Sequence, residues 1–406
     1  MITLEEARNK ILATIKRTCE ESVAARDAYH RVCLKKIIAP RDLPLFDTSD
    51  IDGYAVITSD VLTATEDDPV ELNLVTVIRP GEYYENEMNP GECAQVFAGS
   101  RLPRGADAVI PAEFTQNSPT GKNKILIKCS TRPWDNIRKR GEDLMYGAVI
   151  ANSGDRLSTA QITLLAALGI KSVVVARQPE ISLISIGSEL KSSDKEAKPG
   201  EIYESNLIML TSMIKKQVSP HIKEFLIPDE EEKIFQTIKT AFETSDVVIT
   251  TGRISEGKLD VVKNALARIP ELKFENWRVM MKPGRPFIFG VYREKKYLFG
   301  LPGNPVSAAV SYSLIVRPAL LKMTGCSNID LPVEECELAE DILNPGNRRH
   351  FVRVKIDVNK KAKTSGLQTS YSLSSLLNSS GLVDVPPRSV LEKGSIVKVL
   401  KWDISD

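Results

Sequence analysis

The chain has 406 residues, 42% of them hydrophobic and 26% charged, and a formal net charge of +1. Its length predicts roughly two to four domains, and its balanced charge argues against a general nucleic-acid surface and against a polybasic membrane anchor. The 3 histidines lie far apart and the 6 cysteines form no CxxC pair, so we expect no histidine-based metal site, structural zinc or disulfide framework. The acidic-polar N-terminus and the lack of an apolar run approaching about 18 residues predict a cytoplasmic protein outside the membrane.

The first 172 residues are predicted to form two domains, one inserted in the other. Thr3 begins a capping box and a helix, and a second, weaker helix is expected over residues 22–29. Apolar residues alternate in short runs broken by Pro, Gly and Asn over residues 46–137, which predicts a β-rich inserted domain. Residues 1–45 and 138–172 then form one discontinuous N-terminal domain.

Residues 173–326 are predicted to form an α/β core domain, because strand and helix patterns alternate there. Predicted strands cover residues 181–186, 223–227, 246–251, 274–281 and 297–300, and predicted helices cover residues 206–216, 230–242, 259–269 and 306–323. This order favours a doubly wound, mostly parallel sheet, in which ligands bind beyond the carboxyl ends of the strands.

Residues 327–406 change in character again. Short strands among polar turns, including one predicted over residues 366–373, indicate a small C-terminal β domain. The fold class predicted for the whole chain is therefore multi-domain α/β plus β.

Two proline-glycine loops flank one β segment of the core domain. Lys282-Pro283-Gly284-Arg285-Pro286 follows one predicted strand, and Leu301-Pro302-Gly303-Asn304-Pro305 follows the next and opens a helix. Pro restricts φ and Gly frees it, so such loops hold fixed shapes and expose backbone N–H groups. Together with Lys282 and Arg285 they predict a seat for an oxyanion or phosphate. The alternative is two simple tight turns between strands.

Eight motifs in a fixed order identify a family that this chain resembles. They are SDIDGYAV, GADAVIPAE, NIRKRGEDLMYG, ISIGSELKSS, GEIYESN, VVITTGRISEGKLDVV, MKPGRPFIFG and LPGNPVSAAV. The ordered set resembles the molybdopterin molybdenumtransferase family, the MoeA and gephyrin E-domain group, over roughly the whole chain. Each motif alone is weak, whereas eight in order are specific.

The resemblance implies a fold, a reaction and partners. The core domain would resemble the molybdopterin adenylyltransferase fold, and the small C-terminal domain would be β-barrel-like. The implied reaction inserts molybdate into adenylylated molybdopterin, with Mg²⁺-dependent hydrolysis of the adenylate that releases AMP and molybdenum cofactor. The implied assembly is a homodimer, in which the partner chain could complete the site. Molybdopterin adenylyltransferase and apo-molybdoenzymes are the implied protein partners.

The resemblance also carries site residues over to matching positions. The expected catalytic carboxylates are Asp52, Asp143, Glu189, Asp229 and Asp260, of which Glu189 and Asp260 would hold Mg²⁺. The expected substrate-binding residues are Gly252, Ser255, Lys282, Pro283, Gly284, Arg285, Pro286, Gly303, Asn304, Pro305, Ser307, Arg348, Arg353 and Ser370. Carboxylates are hard oxygen ligands for Mg²⁺, which commonly takes one or two of them together with substrate phosphate oxygens.

Four of the carboxylates can be weighed against their sequence context. Asp52 precedes a Gly in a hairpin-type turn signal, and Asp229 and Asp260 stand where an acidic residue at a helix start is ordinary. Glu189 has the strongest functional interpretation, because it directly follows a predicted buried strand.

The charged loops have structural alternatives too. Asp143 could form a surface ion pair with Arg138 or Arg140 in a solvated loop, and a basic cluster such as that around Arg348 and Arg353 is usually a solvated face.

Two departures from the family pattern bear on activity. Gly252-Arg253 stands where the family usually has Gly-Gly, which adds bulk and charge where backbone is expected to approach a ligand. Ala98 stands where the family usually has Thr, which removes a hydroxyl group. These departures leave a second hypothesis open, a molybdopterin-binding or scaffold paralogue with little turnover. A transferase that prefers tungstate is a third, because tungstate and molybdate are nearly isosteric.

Overall fold

Three six-stranded sheets, lying in different parts of the chain, organise the residues that the computed structural model describes, which are 1–254, 261–402 and 404. The helices are α1 (Leu4–Thr14), α2 (Thr159–Ala167), α3 (Asn206–Gln217), α4 (Glu231–Thr244), α5 (Val261–Ala267), α6 (Pro305–Ser311) and α7 (Arg317–Met323). The strands are β1 (Glu20–Ala24), β2 (Ile37–Ile38), β3 (Thr48–Ser49), β4 (Gly53–Val56), β5 (Val70–Ile78), β6 (Glu92–Val96), β7 (Ala108–Pro111), β8 (Thr115–Asn117), β9 (Lys124–Ile127), β10 (Ile137–Arg138), β11 (Val149–Ala151), β12 (Ser172–Ala176), β13 (Ile181–Ile186), β14 (Leu190–Lys191), β15 (Ile202–Tyr203), β16 (Ile222–Ile227), β17 (Val247–Thr251), β18 (Leu272–Arg278), β19 (Met281–Lys282), β20 (Pro286–Tyr292), β21 (Lys296–Leu301), β22 (Val333–Leu338), β23 (Ile342–Asn344), β24 (Arg349–Ile356), β25 (Lys361–Thr364), β26 (Gly381–Val385), β27 (Ser389–Leu391) and β28 (Ile396–Lys401).

Helix α1 begins at the predicted capping box. The Thr3 hydroxyl oxygen accepts a hydrogen bond from the Glu6 backbone N–H at 3.1 Å, and the Glu6 carboxylate accepts one from the Thr3 N–H at 2.9 Å. Two otherwise unpaired N–H groups of the helix end are thereby satisfied. Leu4, Ala7 and Ile11 lie on the buried face of the helix and pack into the largest hydrophobic core.

The helix predicted over residues 22–29 is wrong. Residues Glu20–Ala24 form strand β1, which pairs antiparallel with β12, and only a short 3₁₀ turn, Ala25–Asp27, follows. The distant strand Ser172–Ala176 offers this segment a full row of backbone partners, and that tertiary pairing overrides local helix propensity. Residues 173–176, predicted to belong to the core domain, therefore pair with the N-terminal part. The predicted domain boundaries stay predictions.

The β-rich module forms the first six-stranded sheet, in the order β7-β4-β6-β5-β9-β8. Strands β5 and β6 are parallel, and the other neighbours are antiparallel. Side chains of both faces are buried, with Val56 and Ile110 in one cluster and Ala55 and Val109 in another. Both faces of the sheet are therefore covered, whereas alternating apolar runs by themselves indicate one buried face.

The second sheet belongs to the α/β part and has the order β16-β13-β17-β21-β20-β18. Strands β16, β13, β17 and β21 are parallel, whereas β20 and β18 are antiparallel to their neighbours. Residues of α3 and α6 pack with one face of the sheet, and residues of α4 and α5 pack with the other. The sheet is therefore mostly parallel, with helices on both faces, as predicted.

The helix predicted over residues 306–323 is interrupted. Helices α6 and α7 are joined by a π-helical turn, Tyr312–Val316. Pro318, near the start of α7, lacks a backbone N–H, and a π turn is one way in which a helix accommodates such a break. By length and composition the run Pro305–Met323 could cross a membrane, but 89% of its window is buried, as in the core helix of a globular protein.

The third sheet closes into a five-stranded barrel in the C-terminal part. Strands β24, β25, β22, β28 and β26 follow one another, and β26 pairs again with β24. Closure leaves these strands without free edges. The strand predicted over residues 366–373 is wrong, because this segment is irregular and leads into a short 3₁₀ helix, Leu373–Leu376.

A short parallel pairing joins the barrel to the α/β part. Strand β19 lies between β18 and β20 in the chain, yet it pairs with β24, with Met281 opposite Arg349 and Lys282 opposite His350. The basic proline-glycine loop is therefore attached to the barrel at its first residue.

The structure does not support Arg353 as a substrate contact. Its side chain is fully buried on the face of β24 opposite to Val352 and Val354, which pack in the barrel core. Its guanidinium group donates hydrogen bonds to Ser375 Oγ at 2.7 Å, to the Leu367 carbonyl at 2.6 Å and to the Thr369 carbonyl at 3.2 Å. Burial lowers the pKa of Arg353 to about 10. Arg353 therefore anchors the irregular segment that precedes the 3₁₀ helix.

Replacing Arg353 by Met should destabilise the protein, because the three acceptors on this segment would lose a charged donor. We expect the free energy of unfolding to fall by about 2–4 kcal/mol. Urea unfolding followed by circular dichroism measures this. Lys355→Met, at an exposed position of the same strand, is the matched control and should change stability by less than about 0.5 kcal/mol. Equal effects of the two substitutions would contradict the anchoring role.

Candidate functional site

A cavity of about 780 Å³ opens at the carboxyl ends of three neighbouring strands of the α/β sheet. Glu189 follows β13, Gly252 and Arg253 follow β17, and Gly303 follows β21. Residues of the barrel part, among them Arg348 and residues of the segment that Arg353 anchors, line the opposite side. The cavity lies where ligands bind in open α/β sheets.

Most of the predicted site residues are brought together around this cavity. Its lining includes Glu189, Gly252, Lys282, Pro283, Gly284, Arg285, Pro286, Gly303, Asn304, Pro305, Ser307, Arg348 and Ser370. Asp229 borders the lining through Arg253, and Ser255 and Asp260 lie outside the described residues.

One wall of the cavity is basic. Lys282 and Arg285 come from the first proline-glycine loop, and Arg348 comes from the residue before strand β24. Arg348 Nη1 donates a hydrogen bond to the Met281 carbonyl at 3.4 Å. Behind this wall, the pKa of His350 is lowered to about 4, first by burial and then by the positive charges of Lys282, Arg353 and Arg348. Three cationic side chains at one wall suit a small oxyanion.

The opposite end carries carboxylates that are held by an arginine. Arg253 Nη2 lies 2.6 Å from Glu189 Oε2, and Arg253 Nε lies 3.0 Å from Asp229 Oδ2. The pKa of Asp229 is lowered, first by a hydrogen bond from the Ser188 hydroxyl and then by the charge of Arg253. Both carboxylates are thus engaged by one guanidinium group.

The described residues offer Mg²⁺ two hard oxygen ligands at this end. Among residues 1–254, 261–402 and 404, no group of three or more His, Cys, Asp or Glu side chains is placed to hold a metal ion. Two carboxylates together with substrate phosphate oxygens are a common Mg²⁺ environment, so the donor chemistry of Glu189 and Asp229 fits this ion. Arg253 would have to give up these carboxylates for it to bind.

Asn206 holds two of the strand-end loops together. Its Nδ2 donates to Thr251 Oγ1 at 2.9 Å and to the Gly303 carbonyl at 2.8 Å, and Thr251 Oγ1 donates to the Pro302 carbonyl at 3.0 Å. Asn206 lines the cavity, and its Oδ1 is a buried acceptor without a hydrogen-bond partner among the described residues. Sequence reasoning missed this residue, although its motif GEIYESN was recognised.

Glu204 is a second residue of that motif that the sequence reading missed. Its carboxyl group is buried at the cavity, accepts from Ser185 Oγ at 3.0 Å and accepts from the Leu207 N–H at 3.0 Å. Burial is the main cause that raises the pKa of Glu204. The signal that could have identified both residues is the position of the motif at the start of helix α3.

The segment anchored by Arg353 closes the cavity from the barrel side. Asn304 Nδ2 donates to Ser370 Oγ at 3.0 Å, and the Val306 N–H donates to the Ser370 carbonyl at 3.2 Å. Ser370 therefore joins the second proline-glycine loop to the barrel. Ser370, predicted from the family resemblance, also lines the cavity.

Asp52 and Asp143 lie away from this cavity. Asp52 precedes strand β4 of the β-rich module, where its Oδ1 accepts from the Ala98 N–H at 2.9 Å. Asp143 is exposed. The ion-pair alternative for Asp143 is not observed, because Arg138 pairs with Asp50 and Arg140 pairs with Asp42.

Comparison with known families accounts for nearly the whole chain. Residues 2–169 match the MoeA N-terminal region (domain I and II), residues 182–322 match a probable molybdopterin binding domain, and residues 335–402 match the MoeA C-terminal region (domain IV). The molybdopterin molybdenumtransferase of Haemophilus influenzae is 33% identical over 80% of this chain and 78% of that protein. The chain belongs to the molybdopterin molybdenumtransferase family.

Other relatives extend the likeness to the full length. Molybdopterin molybdenumtransferase 2 of Mycobacterium tuberculosis is 30% identical over 98% of this chain and 99% of that protein. A crystal structure of the molybdopterin biosynthesis MoeA protein of Pyrococcus horikoshii has a TM-score of 0.80 at 29% identity, and covers 99% of both chains. The expected family and the enzyme assignment are confirmed, and the family gives the chain a role in molybdenum cofactor biosynthesis.

Gly252 lies too close to the neighbouring strand to carry a side chain. Its φ is 96°, and a Cβ atom there would lie 2.3 Å from the Ile186 carbonyl oxygen. Gly200 has a similar φ of 92°, but a Cβ there would meet nothing within 4 Å. The two glycines therefore share a backbone conformation and differ in the space around them.

This pair gives a controlled test of the strand-end packing. Both Gly→Ala changes force Ala into the left-handed region, at a cost of about 1–2 kcal/mol. Gly252→Ala should cost about 2 kcal/mol more than Gly200→Ala, because the Ile186 carbonyl or the loop must move. Urea unfolding of the two variants measures the difference, and equal losses would contradict the close approach.

Proposed function

We propose that this cavity binds adenylylated molybdopterin and molybdate, and that the protein inserts molybdate and releases AMP and molybdenum cofactor. The observation that carries the proposal is the meeting of a three-cation wall and a carboxylate end in one cavity. The basic wall is complementary to an oxyanion, and the carboxylates, once paired with a cation, can lie beside a phosphoanhydride. Membership of the family supports the same reaction.

Lys282, Arg285 and Arg348 would hold molybdate at the basic wall. Their charges attract the oxyanion, and the prolines on either side of the loop restrict its backbone, so little ordering is needed on binding. Ser307 and Ser370 would add hydroxyl donors. We place molybdate here because this wall is the most strongly cationic part of the lining.

The phosphate groups would lie along the strand-end loops. A Cβ atom on Gly303 would lie 3.2 Å from Gly252 Cα, so two loops meet with only backbone between them. Backbone N–H groups at such a meeting can approach phosphate oxygens closely. Gly252, Gly303 and the neighbouring Asn304 and Pro305 would hold this end of the substrate, together with Ser255.

Glu189 and Asp229 would act at the bond between molybdopterin and AMP. Both carboxylates accept hydrogen bonds, so they can orient a water molecule towards the phosphorus atom. Asp260 is proposed with them from the family pattern alone. Mg²⁺, when bound, would polarise a phosphoryl oxygen and neutralise charge on the leaving AMP.

We propose a homodimer in the cytoplasm. Asp52 and Asp143 match acidic positions of the family but lie outside the cavity of their own chain, so a second copy would bring them to it. Molybdopterin adenylyltransferase would supply the adenylylated substrate, and apo-molybdoenzymes would receive the product.

AMP release tests the proposed reaction. The protein is incubated with adenylylated molybdopterin, molybdate and Mg²⁺, and AMP is measured by chromatography. Lys282→Gln should raise the KM for molybdate at least about tenfold, because a charged contact is lost. Lys355→Gln, on an exposed barrel position, is the matched control and should leave KM unchanged. No AMP above a protein-free blank, from folded protein, would overturn the proposal.

The same assay separates the two alternatives. Arg253 already forms ion pairs with both Glu189 and Asp229, which is what a molybdopterin-binding scaffold without turnover would tolerate. A scaffold would bind molybdopterin without releasing AMP. Tungstate in place of molybdate tests the third hypothesis, and a lower KM for tungstate would favour it.

Mixing two inactive variants tests whether two chains share a site. Asp52→Ala and Glu189→Ala should each abolish AMP release. After mixing and subunit exchange, roughly one quarter of the wild-type sites should be restored if residues from both chains form each site, because half of the dimers are mixed and each carries one intact site. Absence of recovery, with exchange verified by differently tagged subunits, would place the whole site on one chain.

A further inference from the structure

We propose that Arg253 is a built-in cation at Glu189 and Asp229 that competes with a divalent metal ion for these two carboxylates. This inference rests on the proposed function in one respect, since it concerns the metal requirement of that reaction. It assigns a role to a side chain that departs from the family pattern. Without metal, the two carboxylates are therefore already paired with a positive charge. A higher metal concentration is then needed to occupy the site.

Arg253 contacts both carboxylates at this end of the cavity. One guanidinium group reaches both carboxylates, through Nη2 to Glu189 at 2.6 Å and through Nε to Asp229 at 3.0 Å. A divalent ion bound between the same carboxylates would need the oxygen atoms that Arg253 now contacts. Guanidinium and metal therefore exclude each other at this position.

The backbone of Arg253 has an unfavourable conformation. Arg253 has a φ of 54°, in the left-handed region that a non-glycine residue enters at a cost. Gly252 before it has a φ of 96°. A second glycine would adopt this conformation without strain, so the arginine is held here against its own backbone preference. Among the described residues, the ion pairs with Glu189 and Asp229 contribute to offsetting that cost.

Arg253 and its two partners are partly exposed to solvent. Arg253 and Glu189 both line the cavity, and their side chains are 41% and 38% exposed, while that of Asp229 is 24% exposed. Ion pairs between such half-exposed groups are weak and exchange readily. A metal ion accompanied by substrate phosphate can therefore displace the guanidinium group, but it must compete with it.

Metal binding without turnover tests the inference. Mn²⁺ replaces Mg²⁺ as the probe, and the electron paramagnetic resonance signal of free aqueous Mn²⁺ reports the bound fraction. We expect Arg253→Gly to bind Mn²⁺ about tenfold more tightly than the wild type, a gain of about 1.4 kcal/mol. Adding Glu189→Gln to Arg253→Gly should remove the gain.

A second arginine provides the matched control. Arg268 also pairs with two carboxylates, Glu231 at 3.3 Å and Glu232 at 2.6 Å, and its side chain is 42% exposed. It lies outside the cavity lining. Arg268→Gly removes the same charge and should leave Mn²⁺ affinity unchanged. An equal gain in both variants would mean that net charge alone is responsible, and would overturn the inference.

A further variant and the AMP assay test the inference separately from the proposed reaction. Arg253→Asn keeps a residue that tolerates positive φ and should reproduce the gain if Arg253→Gly folds poorly. Wild-type affinity equal to that of both variants would overturn the inference and leave the proposed function intact. In the AMP assay, the Mg²⁺ concentration for half-maximal rate should fall about tenfold in Arg253→Gly. A fall in Mn²⁺ dissociation constant without AMP release would instead support the inference and count against the proposed reaction.

Discussion

The parallel pairing of Met281 and Lys282 with Arg349 and His350 is the contact on which the cavity depends. The chain leaves the α/β sheet at the end of β18, pairs with the barrel over two residues, and returns to the sheet at Pro286. The basic loop therefore spans both parts. Any displacement of the barrel would move Lys282 relative to Glu189, so the distance between the basic wall and the carboxylate end is set by this short pairing.

Arg353 supports the same arrangement from the outer face of the barrel. Burying a guanidinium group is costly unless its N–H groups find acceptors. Here the acceptors are the carbonyls of Leu367 and Thr369 and the hydroxyl of Ser375. Because an alternative conformation of the segment would leave a buried charge without partners, the arginine selects one conformation. That conformation presents Ser370 to Asn304, which closes the cavity.

Sequence patterns predicted the elements that depend on local periodicity. The strands and helices of the α/β part lie within a few residues of their predicted ends, and the residues after β13, β17 and β21 meet at one edge as expected. The wrong predictions concern segments whose secondary structure depends on residues that are distant in the sequence. Residues 20–24 are a strand because residues 172–176 lie beside them, and no local pattern reveals that neighbour.

The candidate site was predictable to the same extent. Lys282 and Gly303 could be placed because proline-glycine loops mark them, whereas the burial of Arg353 depends on the irregular segment that covers the outer face of β24. The alternation of RHFVRVKI puts Val352 and Val354 on the barrel face, but no local pattern reveals that residues 367–375 cover Arg353. Asn206 and Glu204 were not predicted because their hydrogen-bond partners, Gly303 and Ser185, belong to other elements of the chain.

The distribution of charge around the cavity is consistent with an anionic ligand at both ends. Two unpaired carboxylates would repel a phosphoanhydride, so the acidic end needs a positive charge before such a substrate can approach. Arg253 supplies one positive charge to Glu189 and Asp229. The chain thus reduces repulsion at the acidic end with the side chain of Arg253, while the basic wall keeps its attraction for an oxyanion.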